Sequence, residues 1–248
     1  FGEFKLVSGD FSNSVTTPVQ FNRSINLDNV SYRYHGAVSD ALISINITIP
    51  HGASVGFFGG SGSGKSTLIN IILGLLTPED GVLKVDGIDI DNNLRGWQDQ
   101  IGYVPQSIFL TDDTLRRNVA LGIKEDKIDD EMVSKAIYLA QLESFVNELP
   151  DKLETIVGER GDRLSGGQLQ RIGIARALYH DPSVLVLDES TSALDGETEN
   201  AVMGAIRSLQ GKKTIIIVAH RLSTIEHCDF LYCLEKGNLA DGGKTSLL

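Results

Sequence analysis

Residues 59 to 67, GGSGSGKST, place glycines, one lysine and several hydroxyl groups between two apolar runs. Gly59, Gly64, Lys65 and Ser66 fit the spacing G-x-x-x-x-G-K-[ST]. Glycines let successive backbone N–H groups turn towards one point, and a helix that begins there adds its positive end. Lys65 can reach the outer phosphates of a nucleotide, and the Ser66 hydroxyl can coordinate Mg²⁺. The loop predicts a phosphate-binding site, with a flexible glycine turn and a solvated lysine as the alternative.

A second candidate site follows the apolar run of residues 184 to 187. Such a run predicts a buried strand, and it carries Asp188 to the carboxyl end of that strand. A carboxylate in this place can hold Mg²⁺ through water, and the adjacent Glu189 can act as the general base for an attacking water. Because strands often end in acidic turns, the pattern becomes informative only together with the phosphate loop upstream.

The segment LSGGQ, residues 164 to 168, precedes a helical pattern and predicts a second anion-binding helix start. One nucleotide does not need two phosphate cradles on one chain, so we interpret the second as serving a nucleotide held by another copy. An ordinary N-cap would explain Ser165, but not Gly166, Gly167 and Gln168 together. The segment therefore predicts a head-to-tail pair of chains.

Short apolar runs and helical patterns alternate along the chain and must position these residues. The runs at 55 to 58, 184 to 188 and 214 to 220 are apolar nearly throughout, as in strands buried on both faces. ISINITIP, residues 43 to 50, instead predicts a half-buried strand with four isoleucines on its inner face: Ile43, Ile45, Ile47 and Ile49. We expect an α/β domain with a mostly parallel sheet and an antiparallel β flank.

Turns and helices complete this organisation. Asp86-Gly87 predicts one hairpin turn, and Gly237-Asn238 predicts another. Residues 129 to 149 predict a helix whose apolar side chains lie near one stripe: Met132, Ala136, Ile137, Ala140, Phe145 and Leu149. We expect a helical subdomain at about 108 to 182, inserted into the sheet domain.

Composition narrows the classes of partner. The chain has 22 basic and 33 acidic residues, and its net charge of −11 argues against nucleic acid as a partner. No apolar run approaches the ~20 residues that cross a bilayer as a helix. Cys228 and Cys233 match no metal-ligand spacing and are interpreted as core residues in a reducing compartment. Trp97 is also expected in the core or the helical lobe.

Seven motifs occur in an order that resembles the nucleotide-binding domain of ATP-binding cassette (ABC) transporters, over about residues 21 to 248. The resemblance implies an α/β P-loop NTPase (RecA-like) core with an inserted helical subdomain, and ATP and Mg²⁺ as cofactors. Tyr34 would stack on adenine. The other implied ATP contacts are Gly59, Gly60, Ser61, Gly62, Ser63, Gly64, Lys65, Ser66, Thr67 and Asp188.

The resemblance also implies the remaining roles. Glu189, the Q-loop residue Gln106 and the switch histidine His220 would be catalytic, with Mg²⁺ held by Ser66, Gln106 and Asp188. The contact to ATP on a second chain would come from Leu164, Ser165, Gly166, Gly167 and Gln168, and the D-loop from Ser192, Ala193, Leu194 and Asp195. Taken singly, Tyr34 could simply pack, Gln106 could satisfy a turn and His220 could be structural.

Several segments resemble the exporter branch of the family. TIVGERGDRLSGGQ, residues 155 to 168, places Glu159 and Arg160 in a loop that would meet the coupling helices of a membrane domain. Import-type cassettes usually have proline at the position of Ser190. Leu169 and Gly60 depart from the usual residues without removing a catalytic group.

The implied function is the ATP-hydrolysing motor of an exporter, which pairs head to tail on binding ATP. We expect residues 1 to 20 to be a linker after a transmembrane domain on the same full-length chain. We also expect a homodimer at the cytoplasmic face of the inner or plasma membrane, because every catalytic position is intact. Lipid, lipid-linked saccharide, peptide and drug remain open as cargo.

Two other classes are disfavoured. A soluble ABC ATPase of DNA repair, translation or cluster assembly fits poorly with the acidic charge and with the exporter-like VGERG segment. A cassette that binds ATP as a regulatory switch without turnover would not need Glu189 and His220.

Overall fold

The computed structural model describes residues 19–158, 164–189, 194, 196–219 and 221–245. Most of the expected linker, residues 1 to 18, lies outside these ranges, and so do residues 159–163, 190–193, 195, 220 and 246–248.

One of two sheets is antiparallel, with strand order β2-β1-β4-β5. Its strands are β1 (Ser24–Tyr32), β2 (Leu42–Pro50), β4 (Asp80–Val85) and β5 (Ile88–Asp89). Asp86 and Gly87 have φ angles of 52° and 87°, the positive values that a two-residue type I′ hairpin turn requires. The predicted antiparallel flank and its hairpin are thereby confirmed.

The expected isoleucine face of β2 is wrong at one position. Ile45, Ile47 and Ile49 are buried, but Ile43 is 38% exposed. Ser44 has a φ of 48°, and its N–H donates to the Ser31 hydroxyl at 2.9 Å. Because β2 has an extra residue relative to β1 here, the alternation of faces is interrupted and Ile43 turns outwards.

The second sheet has the strand order β10-β9-β3-β8-β7-β6, and only the β9–β10 pair is antiparallel. Its strands are β3 (Ser54–Phe58), β6 (Ile101–Val104), β7 (Val184–Asp188), β8 (Thr214–Val218), β9 (Phe230–Glu235) and β10 (Asn238–Lys244). The apolar runs therefore lie in neighbouring parallel strands, which confirms the predicted α/β fold with a mostly parallel sheet.

The β9–β10 hairpin turns one residue earlier than predicted. Glu235 pairs with Asn238, so Lys236 and Gly237 form the turn, with φ angles of 48° and 80°. A type I′ turn needs positive φ at both central residues, and glycine is favoured at the second as in Asp86-Gly87.

The helices are α1 (Lys65–Ile72), α2 (Leu94–Gln98), α3 (Leu115–Val119), α4 (Asp130–Leu139), α5 (Glu143–Glu148), α6 (Gly166–Leu178), α7 (Gly196–Arg207) and α8 (Leu222–Ile225). Four of them, α3 to α6, lie between β6 and β7, where the sequence predicts the helical insertion. The boundaries at 108 and 182 stay a prediction.

The single helix predicted over residues 129 to 149 is wrong, because α4 ends before α5 begins. Gln141 has a φ of 55° and donates its N–H to the Tyr138 carbonyl, while Leu142 donates to the Ile137 carbonyl, both at 3.0 Å. This is the Schellman pattern that ends a helix. The predicted stripe is therefore divided between two helices.

The core occupies both faces of the parallel sheet. On β7, Val184 and Val186 pack with the antiparallel sheet and α1, whereas Leu185 and Leu187 pack with the helices that follow β6. Trp97 is fully buried and donates from Nε1 to the Ile72 carbonyl at 2.8 Å, as predicted for the core.

The cysteines agree in part with their prediction. Cys228 is buried, and burial, reinforced by the adjacent Asp229, raises the pKa of its thiol to about 12. Cys233 is only half-buried. Within the described ranges no group of three His, Cys, Asp or Glu side chains could hold a metal ion.

Candidate functional site

The glycine-rich loop connects β3 to α1 and folds back on the lysine that ends it. Gly59, Gly62 and Gly64 all have positive φ angles, and Gly64 is the N-cap of α1. Lys65 is 5% exposed, and its Nζ donates to the carbonyls of Gly59 and Gly60, both at 2.9 Å. A buried ammonium therefore lies against the loop at the start of a helix, where anions are favoured.

Two of the glycines are needed because other backbone segments touch them. A Cβ on Gly59 would lie 2.2 Å from the Leu234 carbonyl oxygen, and one on Gly64 would lie 2.6 Å from the Ala41 oxygen. Neither neighbour is a side chain that could turn away. The loop conformation is thus fixed by packing as well as by glycine's freedom at positive φ.

A pocket of about 230 Å³ opens beside the loop. Tyr34 is 44% exposed, its hydroxyl lies 3.2 Å from the Thr67 Oγ1, and its ring meets Tyr32 edge-on at 5.0 Å. The pocket thus joins an accessible aromatic ring to the phosphate loop. Its lining residues are Tyr34, Ala41, Gly62, Ser63, Gly64, Lys65, Ser66 and Thr67.

The Ser63 hydroxyl adds a chemical detail to the loop. It is buried, and among the described residues it has no hydrogen-bond partner.

A larger cavity of about 300 Å³ lies between α4, α5 and the end of α7, but no residue of the predicted motifs lines it.

Asp188 lies at the same sheet edge as the phosphate loop. Phe57 on β3, Val218 on β8 and Asp188 on β7 are in register across three parallel strands. At about 4.8 Å per strand, Asp188 lies roughly 10 Å from the start of the loop measured across the sheet. The carboxyl ends of such strands are where ligands of open α/β sheets bind.

Tyr103 on β6 was not among the predicted site residues, yet it contacts Asp188. Its hydroxyl donates to the Asp188 Oδ2 at 3.3 Å. Burial, reinforced by this carboxylate, raises the pKa of Tyr103 to about 12, so the phenol remains a donor at neutral pH. The one available signal in the sequence was its position in IGYV. Tyr103 lies between Gly102 and Val104, which are buried, so its side chain belongs to the other face of the strand.

Glu189 and Gln106 are brought together from positions far apart in the chain. The Gln106 Nε2 donates to the Glu189 Oε2 at 2.9 Å. Glu189 has a φ of 48°, and its N–H donates to the Val218 carbonyl at 3.0 Å. The backbone is thus bent at the end of β7, with the Glu189 carboxylate held by Gln106.

The LSGGQ segment begins α6 with a capping box. The Ser165 hydroxyl accepts from the Gln168 N–H at 3.2 Å, and the Gln168 Oε1 accepts from the Ser165 N–H at 2.9 Å. A Cβ on Gly166 would lie 2.9 Å from Leu194, and one on Gly167 would lie 2.3 Å from Thr198. The capping box and the close packing give each of the four residues a local structural role. The argument from sequence that an ordinary N-cap could not explain Gly166, Gly167 and Gln168 is therefore wrong.

The remaining predicted residues divide into two groups. Gly60, Ser61 and Ser66 are exposed along the phosphate loop, and Leu164 and Leu194 are half-buried. The others lie outside the described residues: His220, Glu159, Arg160, Ser192, Ala193 and Asp195.

The donor set fits ATP and Mg²⁺. Mg²⁺ prefers oxygen ligands, which the hydroxyl of Ser66, the carboxylate of Asp188 and the amide of Gln106 can supply. A triphosphate suits the buried ammonium of Lys65 and the loop at the helix N-terminus. A hydroxyl without a partner, that of Ser63, lies in the same loop.

Comparison with known proteins agrees with this geometry. The family model of the ABC transporter matches residues 42–192. The chain is 40% identical over 225 residues to the ATP-dependent lipid A-core flippase of Vibrio vulnificus, covering 90% of this chain and 38% of that protein. It is 40% identical over 236 residues to human ATP-binding cassette sub-family B member 5, covering 94% of this chain and 19% of that protein.

Comparison with solved structures also finds an ABC exporter. A bacterial Atm1-family ABC exporter with ATP bound superposes with a TM-score of 0.82 at 35% identity, over 94% of this chain and 40% of that one. The chain thus spans about two fifths or less of these relatives. It belongs to the ABC transporter family, and it has the fold of the ATP-hydrolysing domain of that family's exporters.

Proposed function

We propose that this chain binds MgATP in the Tyr34 pocket and hydrolyses it with Glu189 as the general base. The Gln106–Glu189 contact carries this proposal, because it places a carboxylate held by an amide next to Asp188, at the sheet edge that holds the phosphate loop. Bound Mg²⁺ would neutralise charge on the phosphate oxygens.

Each residue near the phosphates has a distinct task in this proposal. Lys65 binds the outer phosphates, and Glu189 orients and deprotonates the attacking water. Because the Gln106 amide has both a donor and an acceptor, it can hold Glu189 through nitrogen and reach Mg²⁺ through oxygen. His220 would hold the γ-phosphate and the water in line.

A second copy of the chain would complete the site. In a head-to-tail pair, the helix start at Ser165 of one chain would face the γ-phosphate bound to the other, with the D-loop residues Ser192, Ala193, Leu194 and Asp195 between them. The positive end of α6, which has 13 residues, supports this role because it favours an anion. ATP binding would then close the pair and hydrolysis would open it.

The movement would be delivered to a transmembrane domain on the full-length chain. No helix within the described residues is long and apolar enough to span a bilayer. The similarity to exporters supports an export motor at the cytoplasmic face of the inner or plasma membrane. The lipid A-core flippase shows one class of cargo in the family.

Adenine stacking on Tyr34 leads to one prediction. Tyr34→Ala should weaken ATP binding by about 1–3 kcal/mol, the range found for bases stacked on aromatic side chains. Tyr34→Phe should be mild, since it keeps the ring and loses only the contact to Thr67. Because stacking uses the face of the base, ATP and GTP should differ little. Isothermal titration would measure all of these, and unchanged ATP affinity in Tyr34→Ala would place the adenine elsewhere.

The export role is tested by separating hydrolysis from coupling. Glu159→Ala should leave the ATPase activity of this chain nearly intact, because Glu159 belongs to neither of the two phosphate cradles, residues 59 to 67 and 164 to 168. In the full-length protein reconstituted in vesicles, the same change should reduce cargo-stimulated phosphate release. Equal losses in the two settings would make Glu159 catalytic or structural and would remove the support for coupling through this loop.

A further inference from the structure

The turn between β9 and β10 connects the two walls of the Tyr34 pocket. The Gly237 N–H donates to the Ser63 carbonyl in the phosphate loop at 3.0 Å. The Gly237 carbonyl accepts from the Ile43 N–H, at the start of β2, at 2.8 Å. One residue therefore bridges the phosphate loop to the antiparallel sheet, although it belongs to neither.

The same turn is in close contact with the segment that leads into β2. A Cβ on Gly237 would lie 3.0 Å from the Ala41 oxygen, 3.2 Å from the Ala41 carbonyl carbon and 3.4 Å from the Asp40 oxygen. These are backbone atoms, so they could yield only if the segment itself shifted. Gly64 also approaches this point, since its Cβ would lie 2.6 Å from the Ala41 oxygen and 3.6 Å from the Gly237 Cα.

The segment that would shift is connected to the aromatic ring. The Ala41 N–H donates to the Tyr32 carbonyl at 2.8 Å, and Tyr34 follows two residues later in the chain. Tyr34 and Ala41 line the pocket together with Ser63 and Gly64 of the phosphate loop. We define the first pair as the base wall and the second pair as the phosphate wall.

We propose that Gly237 is a positioning residue that sets the distance between the base wall and the phosphate wall, and thereby favours ligands that span both. This inference depends on the proposed binding of ATP with adenine on Tyr34. A ligand that uses only the phosphate wall, such as inorganic tripolyphosphate, would not be sensitive to this distance. A nucleoside triphosphate would be sensitive, because the covalent linker between its base and its phosphates has a limited reach and both ends must be placed at once.

The other type I′ hairpin of the chain provides a matched control. Gly87 occupies the same turn position as Gly237, with a φ of 87° against 80°. A Cβ on Gly87 would meet nothing within 4 Å. Gly87→Ala therefore introduces the same backbone strain without the contact to Ala41, so the difference between the two variants isolates that contact.

The test is isothermal titration of MgATP and of magnesium tripolyphosphate into the parent, Gly237→Ala and Gly87→Ala, with urea midpoints to compare their folding. In Gly237→Ala we expect the preference for ATP over tripolyphosphate to fall about five- to tenfold, because the added Cβ displaces the Ala41 segment and shifts the base wall from its position. Tripolyphosphate affinity should stay within about twofold, and Gly87→Ala should match the parent in both titrations. Gly237→Asn carries the same Cβ with a residue that tolerates positive φ, and it replaces Gly237→Ala if that chain does not fold.

Each other outcome has a defined meaning. Equal losses of ATP and tripolyphosphate affinity in Gly237→Ala would show that the turn shapes only the phosphate loop, which overturns the proposal. An unchanged preference for ATP would overturn it as well. A parent chain that binds both ligands equally would instead contradict adenine stacking on Tyr34, and the positioning role would fall with it.

Discussion

A Glu189→Gln chain should bind MgATP with the affinity of the parent and release phosphate at least about a hundredfold more slowly, the lower end of what a general base contributes. The amide has the shape of the carboxylate, and its oxygen can still accept the hydrogen bond from the Gln106 Nε2. What is lost is the ability to take a proton from water. Single-turnover phosphate release and titration of ATP would measure the two effects separately.

Lys65→Ala should have the opposite defect from Glu189→Gln, because it should weaken the binding of ATP. Its Nζ is a buried cation against the loop, and a charged hydrogen bond of this kind is worth about 1.5–3 kcal/mol, or roughly ten- to a hundredfold in affinity. Near-parental turnover in Glu189→Gln would remove Glu189 from the mechanism. Unchanged affinity in Lys65→Ala would move the phosphates away from this loop.

The other large effect concerns the second chain. Ser165→Arg should abolish ATP-dependent pairing while leaving ATP binding to the phosphate loop intact, since a long cation would fill the position that the partner's γ-phosphate needs. Ser165 is also the N-cap of α6, and losing a cap costs about 1 kcal/mol. Any blocked pairing must therefore be separated from simple destabilisation.

Two further variants make that separation. Ser165→Asp keeps a good cap but places a negative charge opposite a phosphate, so it should also block pairing. Asp129→Arg removes the N-cap of α4, at an exposed residue, and should leave pairing unchanged. If Ser165→Asp paired like the parent, the contact of Ser165 with a partner's nucleotide would be disproved.

Much of the fold could be predicted because its signals are local. Asp86-Gly87 specifies its hairpin by itself, and the apolar run that ends at Asp188 indicates a strand buried on both faces. Lys65 could be placed at a helix start because the glycine spacing before it has few other uses. In each case the physical cause lies within about ten residues of the pattern.

The features that could not be predicted depend on residues distant in sequence. Ile43 turns outwards because β2 has an extra residue relative to β1, at the point where Ser44 bonds to Ser31. Tyr103 meets Asp188 only because β6 and β7, 85 positions apart at these residues, lie side by side. No spacing rule connects Gly237 to Ser63, and their contact exists only once β3 and β9 lie side by side in the second sheet.

The α4–α5 break has a different origin. Helical periodicity runs through residues 129 to 149, and no glycine or proline lies within this range to mark a break. The break comes from Gln141 at positive φ, whose carbonyl accepts from the Arg171 Nη1 at 2.9 Å. The end of α4 is thus accompanied by a tertiary contact to Arg171, and helix propensity alone does not predict it.

The proposed ATP site formed by two chains is tested most directly by the mass of Glu189→Gln in solution, measured by light scattering after size exclusion. With MgATP the chain should have the mass of two copies, and with ADP it should return to the mass of one. The specific ATPase activity of the parent should correspondingly rise with protein concentration. A Glu189→Gln chain that is saturated with ATP yet keeps the mass of one copy, beside a parent whose activity does not depend on concentration, would contradict the head-to-tail site.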